Sequence, residues 1–166
     1  VPDPDTAPDN YLRYIGFEVG LKNTVLLRWR ADAMPLKVYL PEPAEGLFED
    51  NAHTVELVRS SLLAWSDVVE PGIPSFEFVR TKDEADIPFA WSSRRPVNED
   101  EQNWHVAKIT YDINTAQKRL RVARILVTGR WEGGTFANDE EVRGRVLHEV
   151  GHALGVGHSP RLGDVM

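Results

Sequence analysis

The stretch from His148 to Met166 reads HEVGHALGVGHSPRLGDVM and holds three of the five histidines in the chain. Residues four apart on an α-helix rise about 6 Å and return to nearly the same face. His148 and His152 can therefore aim at a single ion, at the nitrogen–metal distance of about 2.0–2.1 Å that zinc takes. Glu149 projects beside that ion, which suits a general base acting on water better than a third ligand. Gly155 falls where the helix should end, since glycine adopts the left-handed conformation that reverses a chain at little cost. The returning chain then brings His158 in as third ligand. Three protein ligands leave one tetrahedral position for water, the mark of a catalytic rather than a structural site. His148, Glu149, His152, Gly155 and His158 fill the pattern H-E-x-x-H-x-x-G-x-x-H. The expectation is an enzyme, a zinc-dependent endopeptidase with one catalytic zinc ion. It would hydrolyse extended protein or peptide substrates with Glu149 as general base and acid.

The rest of the chain supplies the frame. From Asn51 to about Val69, apolar Val55, Val58, Leu62, Trp65 and Val69 recur every three or four residues, predicting a helix with one buried face. Asp50 or Asn51 can cap its start, and Pro71-Gly72 ends it. A second helix is predicted over Asn138–Leu154, with Val142, Val146, Val150, Ala153 and Leu154 inward. Asn138 and Glu141 have capping-box spacing. Strands are expected at Pro35–Leu40, Ser75–Arg80, Ile87–Trp91, 105–112 and 120–128, with a polar loop at 92–103 and a turn at Asn114-Thr115-Ala116. Residues 1–10 read as a lead, and 11–28 as either strand or N-terminal extension. Strands alternating with helices predict an α/β (α+β) domain. His53 and His105, outside the pattern, read as surface or core histidines, and Trp65 as core.

The pattern, with Ser159 after its third histidine and Met166 eight residues further on, resembles the metzincin zinc peptidases. Within that clan it is similar to the matrixins, the matrix metalloproteinase-like family. Upstream, Leu63-Ala64-Trp65-Ser66-Asp67-Val68 resembles the end of the first matrixin helix. Phe76-Glu77-Phe78 with Glu84-Ala85-Asp86-Ile87 resembles the next two strands, and Trp29 with the run Pro35–Leu40 resembles the start of the catalytic domain. The resemblance implies a zincin-like fold, a twisted, mixed five-stranded sheet carrying two long helices. The catalytic domain would span 29–166, truncated at the methionine turn, after a lead or extension over 1–28. In the family a specificity loop and a final helix follow that turn. Met166 would be a hydrophobic floor beneath the zinc, Gly155 the reversal that delivers His158. An edge strand at about Trp104–Asp112, with His105, Val106, Ala107, Lys108 and Ile109, would take an extended substrate by main-chain hydrogen bonds.

Two departures point to a minimal, bacterial-type member. Only His53 and His105 remain for the second zinc of the animal enzymes, so that site is expected to be missing. Calcium loops are not recognisable. Gly133, Gly134, Asp139, Glu140 and Glu141 offer oxygen ligands, but a turn followed by an acidic helix start is the preferred reading. The family also implies secretion; VPDPDTAPDN at the start is unlike a signal peptide. A monomer is expected.

Composition excludes several alternatives. The net charge of −7 disfavours nucleic acid or an anionic membrane as partner, and no apolar run approaches the ~20 residues of a membrane span. With no cysteine there is neither a thiolate nucleophile nor a thiolate metal ligand. The cysteine switch that the resemblance to matrixin zymogens would imply is accordingly not expected in this stretch. The competing reading is a catalytically silent zinc-binding or interaction module of the same fold. The intact Glu149 argues against it. A zinc hydrolase acting on non-peptide substrates is a third reading, and the extended motif disfavours it.

Overall fold

The computed structural model describes residues 16–18, 24–26, 29, 31–68, 74–93, 107–114, 119–129 and 135–156. A short hairpin comes first, β1 (Gly16–Glu18) antiparallel to β2 (Thr24–Leu26). The ambiguous segment 11–28 thus contains strand. Then follow β3 (Leu36–Tyr39), α1 (Asn51–Val68), β4 (Phe76–Val79), β5 (Ile87–Ser92), β6 (Ala107–Asn114), β7 (Arg119–Thr128) and α2 (Asp139–Ala153). The last five strands form one sheet in the order β4-β3-β5-β7-β6. The first four of these run parallel, and β6 is antiparallel to β7 along one edge. The expected α/β class, with a mixed five-stranded sheet and two long helices, is what the chain adopts. The polar loop expected at 92–103, the turn at Asn114-Thr115-Ala116 and the start of the strand predicted from 105 fall largely or wholly outside the described residues.

One core holds the layers together. Alternation along a strand sends every second side chain to the same face. Leu36 and Val38 of β3, Ile87 and Phe89 of β5, and Ile125 and Val127 of β7 are all buried. They meet Val58 and Leu62 of α1 and Val142, Val146 and Val150 of α2 in one cluster. The two helices pack on each other, and α2 lies against β6 and β7. Trp65 is partly buried against this cluster, and its indole N–H donates to the Leu147 carbonyl in α2 at 3.1 Å.

Local chemistry fixes the ends of the helices. Asp50 caps α1 by accepting the His53 N–H at 2.9 Å. Asn51 ties back the preceding loop, accepting from Phe48 N–H and donating to the carbonyl of Ala44. Asn138 and Glu141 form the reciprocal capping box at 2.9 and 3.0 Å. Asp139, Glu140 and Glu141 occupy the first turn of α2, where negative charge favours the helix dipole. Asp86 pins β3 beside β5, its carboxylate accepting from Lys37 N–H and its own N–H donating to the Lys37 carbonyl.

His53 and Asp139 join the starts of α1 and α2, Nε2 to Oδ2, at 2.7 Å. The hydrogen bond and charge of Asp139, helped by Asp50, hold the imidazole above its ordinary value of 6.5. A histidine raised on folding stabilises fully below its unfolded value, and that contribution is lost as pH rises through the folded value. Both side chains are exposed, so solvent screens the pair. Replacing His53 with Leu is expected to lower stability more at pH 6 than at pH 9. Urea unfolding at the two pH values measures this, and equal losses at both would contradict it.

Candidate active site

Of the residues singled out in the histidine pattern, His148, Glu149 and His152 lie on the last two turns of α2 and Gly155 in the reversal after it. His148 and His152 point the same way. Their rings stand 4.5 Å apart between centroids, at an interplanar angle of 81°, and the two Nε2 atoms are 3.0 Å apart. His152 Nδ1 lies 2.8 Å from the Val156 carbonyl oxygen. A carbonyl only accepts, so Nδ1 carries the proton and, in the neutral ring, Nε2 keeps its lone pair. That lone pair faces His148.

The chain reversal makes this arrangement. Gly155 has φ +93°, in the left-handed region that disfavours any side chain. Its N–H donates to the His152 carbonyl at 2.9 Å, and Val156 N–H donates to Gly151 at 2.9 Å. This pair of bonds is a Schellman motif, which satisfies the last carbonyls of the helix. The same turn carries the Val156 carbonyl back onto the ring of His152. Trp29 completes the helix end from afar, its indole N–H donating to the Ala153 carbonyl at 2.7 Å.

Glu149 lies under the sheet edge. It is buried, with 7% of its surface exposed, and Oε2 accepts the backbone N–H of Ile109 at 2.9 Å. Burying a carboxylate is costly unless hydrogen bonds compensate, and the strand supplies one. Ile109 sits opposite Ile125 of β7, and its N–H, spent on α2, is directed away from β7. The backbone outward from β6 and the carboxylate of α2 thus meet at one point. Ala107, Lys108 and Ile109 all lie in β6.

His158, Met166, His105 and Val106 lie outside the described residues. Among the described residues, no group of three or more histidine, aspartate or glutamate side chains gathers into a metal site. Of the three described histidines, His148 and His152 are the pair that face each other. Nitrogens each about 2.0–2.1 Å from one tetrahedral zinc stand about 3.3–3.4 Å apart. The observed 3.0 Å is a small ring rotation from that, and the carbonyl behind His152 is the partner that orients a metal-binding imidazole.

The link from Ile109 to Glu149 and the indole of Trp29 on Ala153 could not be read from local patterns, because each joins residues 40 and 124 positions apart. A scan against known protein families and a search of characterised proteins find no match to the chain.

Proposed function

We propose that the protein is a zinc-dependent endopeptidase of the metzincin type, similar to the matrixins. The observation that carries this reading is the pairing of two histidine Nε2 atoms at 3.0 Å with a buried glutamate one residue along, held against a sheet edge. His148, His152 and His158 would hold the ion. A zinc ion so held supplies the Lewis acidity that acidifies water and polarises a peptide carbonyl. The chain's own residues do the rest. Val156 fixes the tautomer of His152 and so keeps Nε2 available as a donor to the metal. Glu149, placed beside that donor pair, takes a proton from the attacking water at its carboxylate and passes it to the departing amine nitrogen. Burial excludes competing water from the carboxylate and strengthens its interactions. The outward backbone of β6 is suited to pairing with an extended peptide, so the substrate is a protein or peptide in strand conformation. The fixed spacing of His158, Ser159 and Met166 in the sequence supports a matrixin-like floor beneath the metal, and the same resemblance supports secretion. No helix among the described residues is long and apolar enough to cross a membrane.

Metal analysis combined with cleavage of a quenched peptide library, with and without a chelator, tests the reading. One equivalent of zinc and chelator-sensitive internal cleavage are expected. Zinc without cleavage would favour the silent module instead. Replacing His158 with Ala is expected to lower zinc affinity by at least about a hundredfold, since two imidazoles remain where three closed the site. Zinc stoichiometry unchanged by that substitution would remove His158 from the ligand set.

A further inference from the structure

We propose that the chain carries a second binding site, for a small apolar molecule bearing a carboxylate, at the carboxyl end of β3 and along β5. A cavity of about 300 Å³ opens there, walled by Tyr39, Pro88, Ala90 and Trp91 and flanked by Lys82 and Arg124. None of its lining residues belongs to α2 or β6, so it is a different place from the histidine site. Tyr39 and Pro88 are register partners on adjacent parallel strands. Phe89 pairs with Ile125, so one step back brings Arg124 of β7 level with Pro88. Tyr39, Pro88 and Arg124 thus form one row across the sheet. Alternation sends that row to the face opposite Val38 and Ile125, which are buried in the core, while Phe89 and Trp91, of the other alternation, also line the cavity.

Three features say what fits. The first is charge. The chain carries −7 overall, yet both charged residues of this cavity are cations and no acidic residue lines it. Neither Lys82 nor Arg124 has an ion-pair partner among the described residues. Two cations flanking apolar walls complement an anion with an apolar body. The planar fork of Arg124 matches a carboxylate by paired hydrogen bonds, with Lys82 as a point charge. The second is rigidity. The indole N–H of Trp91 donates to the Pro41 carbonyl at 2.7 Å, and its ring meets Phe48 edge-on at 5.4 Å. A ligand therefore finds a wall already in place, and less entropy is lost on binding. The third is size. A volume at the lower limit of small-molecule sites suits a single ring or short chain with its acid group, not a nucleotide or an extended peptide.

The test uses 3-phenylpropionate, its alcohol and its amine, titrated to about 10 mM against the full chain by ligand-observed and protein-observed NMR. The acid is expected to saturate with a Kd below about 1 mM, at least about tenfold tighter than the alcohol, with no binding of the amine. Replacing Arg124 and Lys82 together with Gln should bring the acid and the alcohol to equal affinity. Ala90→Leu, which fills the cavity, should weaken both by at least about tenfold. The Gln substitutions fall on exposed side chains, so they report on charge without disturbing the core. Absent saturation, equal binding of acid and alcohol to the unaltered protein, or acid binding insensitive to both changes would overturn the proposal. The last result would place the acid elsewhere, for instance at the histidine site.

Discussion

Glu149→Gln is expected to cut peptide cleavage by about 10³-fold or more while zinc content stays at the level of the unaltered protein. General acid–base catalysis is worth about 10²–10⁴-fold, and in the proposed mechanism one carboxylate handles the proton twice. The substitution is chosen for what it preserves. Gln has the size of Glu, and its amide oxygen can still accept the Ile109 N–H that Oε2 now accepts at 2.9 Å. Position is therefore kept and proton affinity removed. Glu149→Ala is a blunter change, because it also leaves the Ile109 amide without the acceptor it has here and opens a void in a buried position. Turnover of a quenched peptide, read beside zinc stoichiometry and the unfolding midpoint, separates chemistry from structure. A Gln variant that cleaves within about tenfold of the parent would take the proton-transfer role away from Glu149.

The largest effect on stability is expected at Gly129, just past the end of β7. A Cβ built there meets the backbone carbonyl oxygen of Leu47 at 2.2 Å and its carbonyl carbon at 3.0 Å. These are main-chain atoms, so no side-chain rotation relieves the clash. Both polar groups of Gly129 are also engaged. Its N–H donates to Ser92, and its carbonyl accepts from Ala137, which ties β5, β7 and the approach to α2 together. Gly129→Ala must push the 47–48 segment outward or break one of these bonds. Overpacking costs about 1–3 kcal/mol where side chains can give, and more where they cannot, so a loss of about 3 kcal/mol or more is expected. In a domain of this size that lowers Tm by roughly 6–12 °C. Thermal unfolding against Gly144→Ala, where a Cβ has nothing within 4 Å, supplies the control. Equal Tm values for the two variants would rule out the clash.

Elements with strong periodicity were legible in the sequence. The Val55–Val58–Leu62 and Val142–Val146–Val150 faces specify their helices because tertiary burial and helical pitch agree. Asn138 with Glu141 marks a helix start by chemistry that needs only four consecutive residues. The histidine spacing belongs to the same kind, since His148, Glu149 and His152 lie on one helix. What local pattern cannot hold is which strands are neighbours. Nothing within Leu36–Tyr39 says that it lies between β4 and β5, because that order depends on how connections cross the sheet. The supports of the site were hidden for the same reason. Trp65 reads as a core residue, yet its N–H also reaches a carbonyl of α2 82 positions away. Trp29 reads as the beginning of a domain, yet it closes the end of the histidine helix.

The bond between Ile109 and Glu149 has a further consequence, for how the molecule avoids its own copies. A strand at the margin of a sheet presents a row of outward amides and carbonyls on which any other strand can build, and this is a common route to aggregation. In β6 that row is interrupted. One outward amide is already committed to a carboxylate of the same chain, and a bulge shifts the register between Thr110 and Tyr111. A strand laid along β6 from one end cannot run a continuous ladder to the other. A long, indiscriminate pairing meets a negative charge and a step. The residue assigned to proton transfer would thus also keep this margin selective, closed to lasting partners.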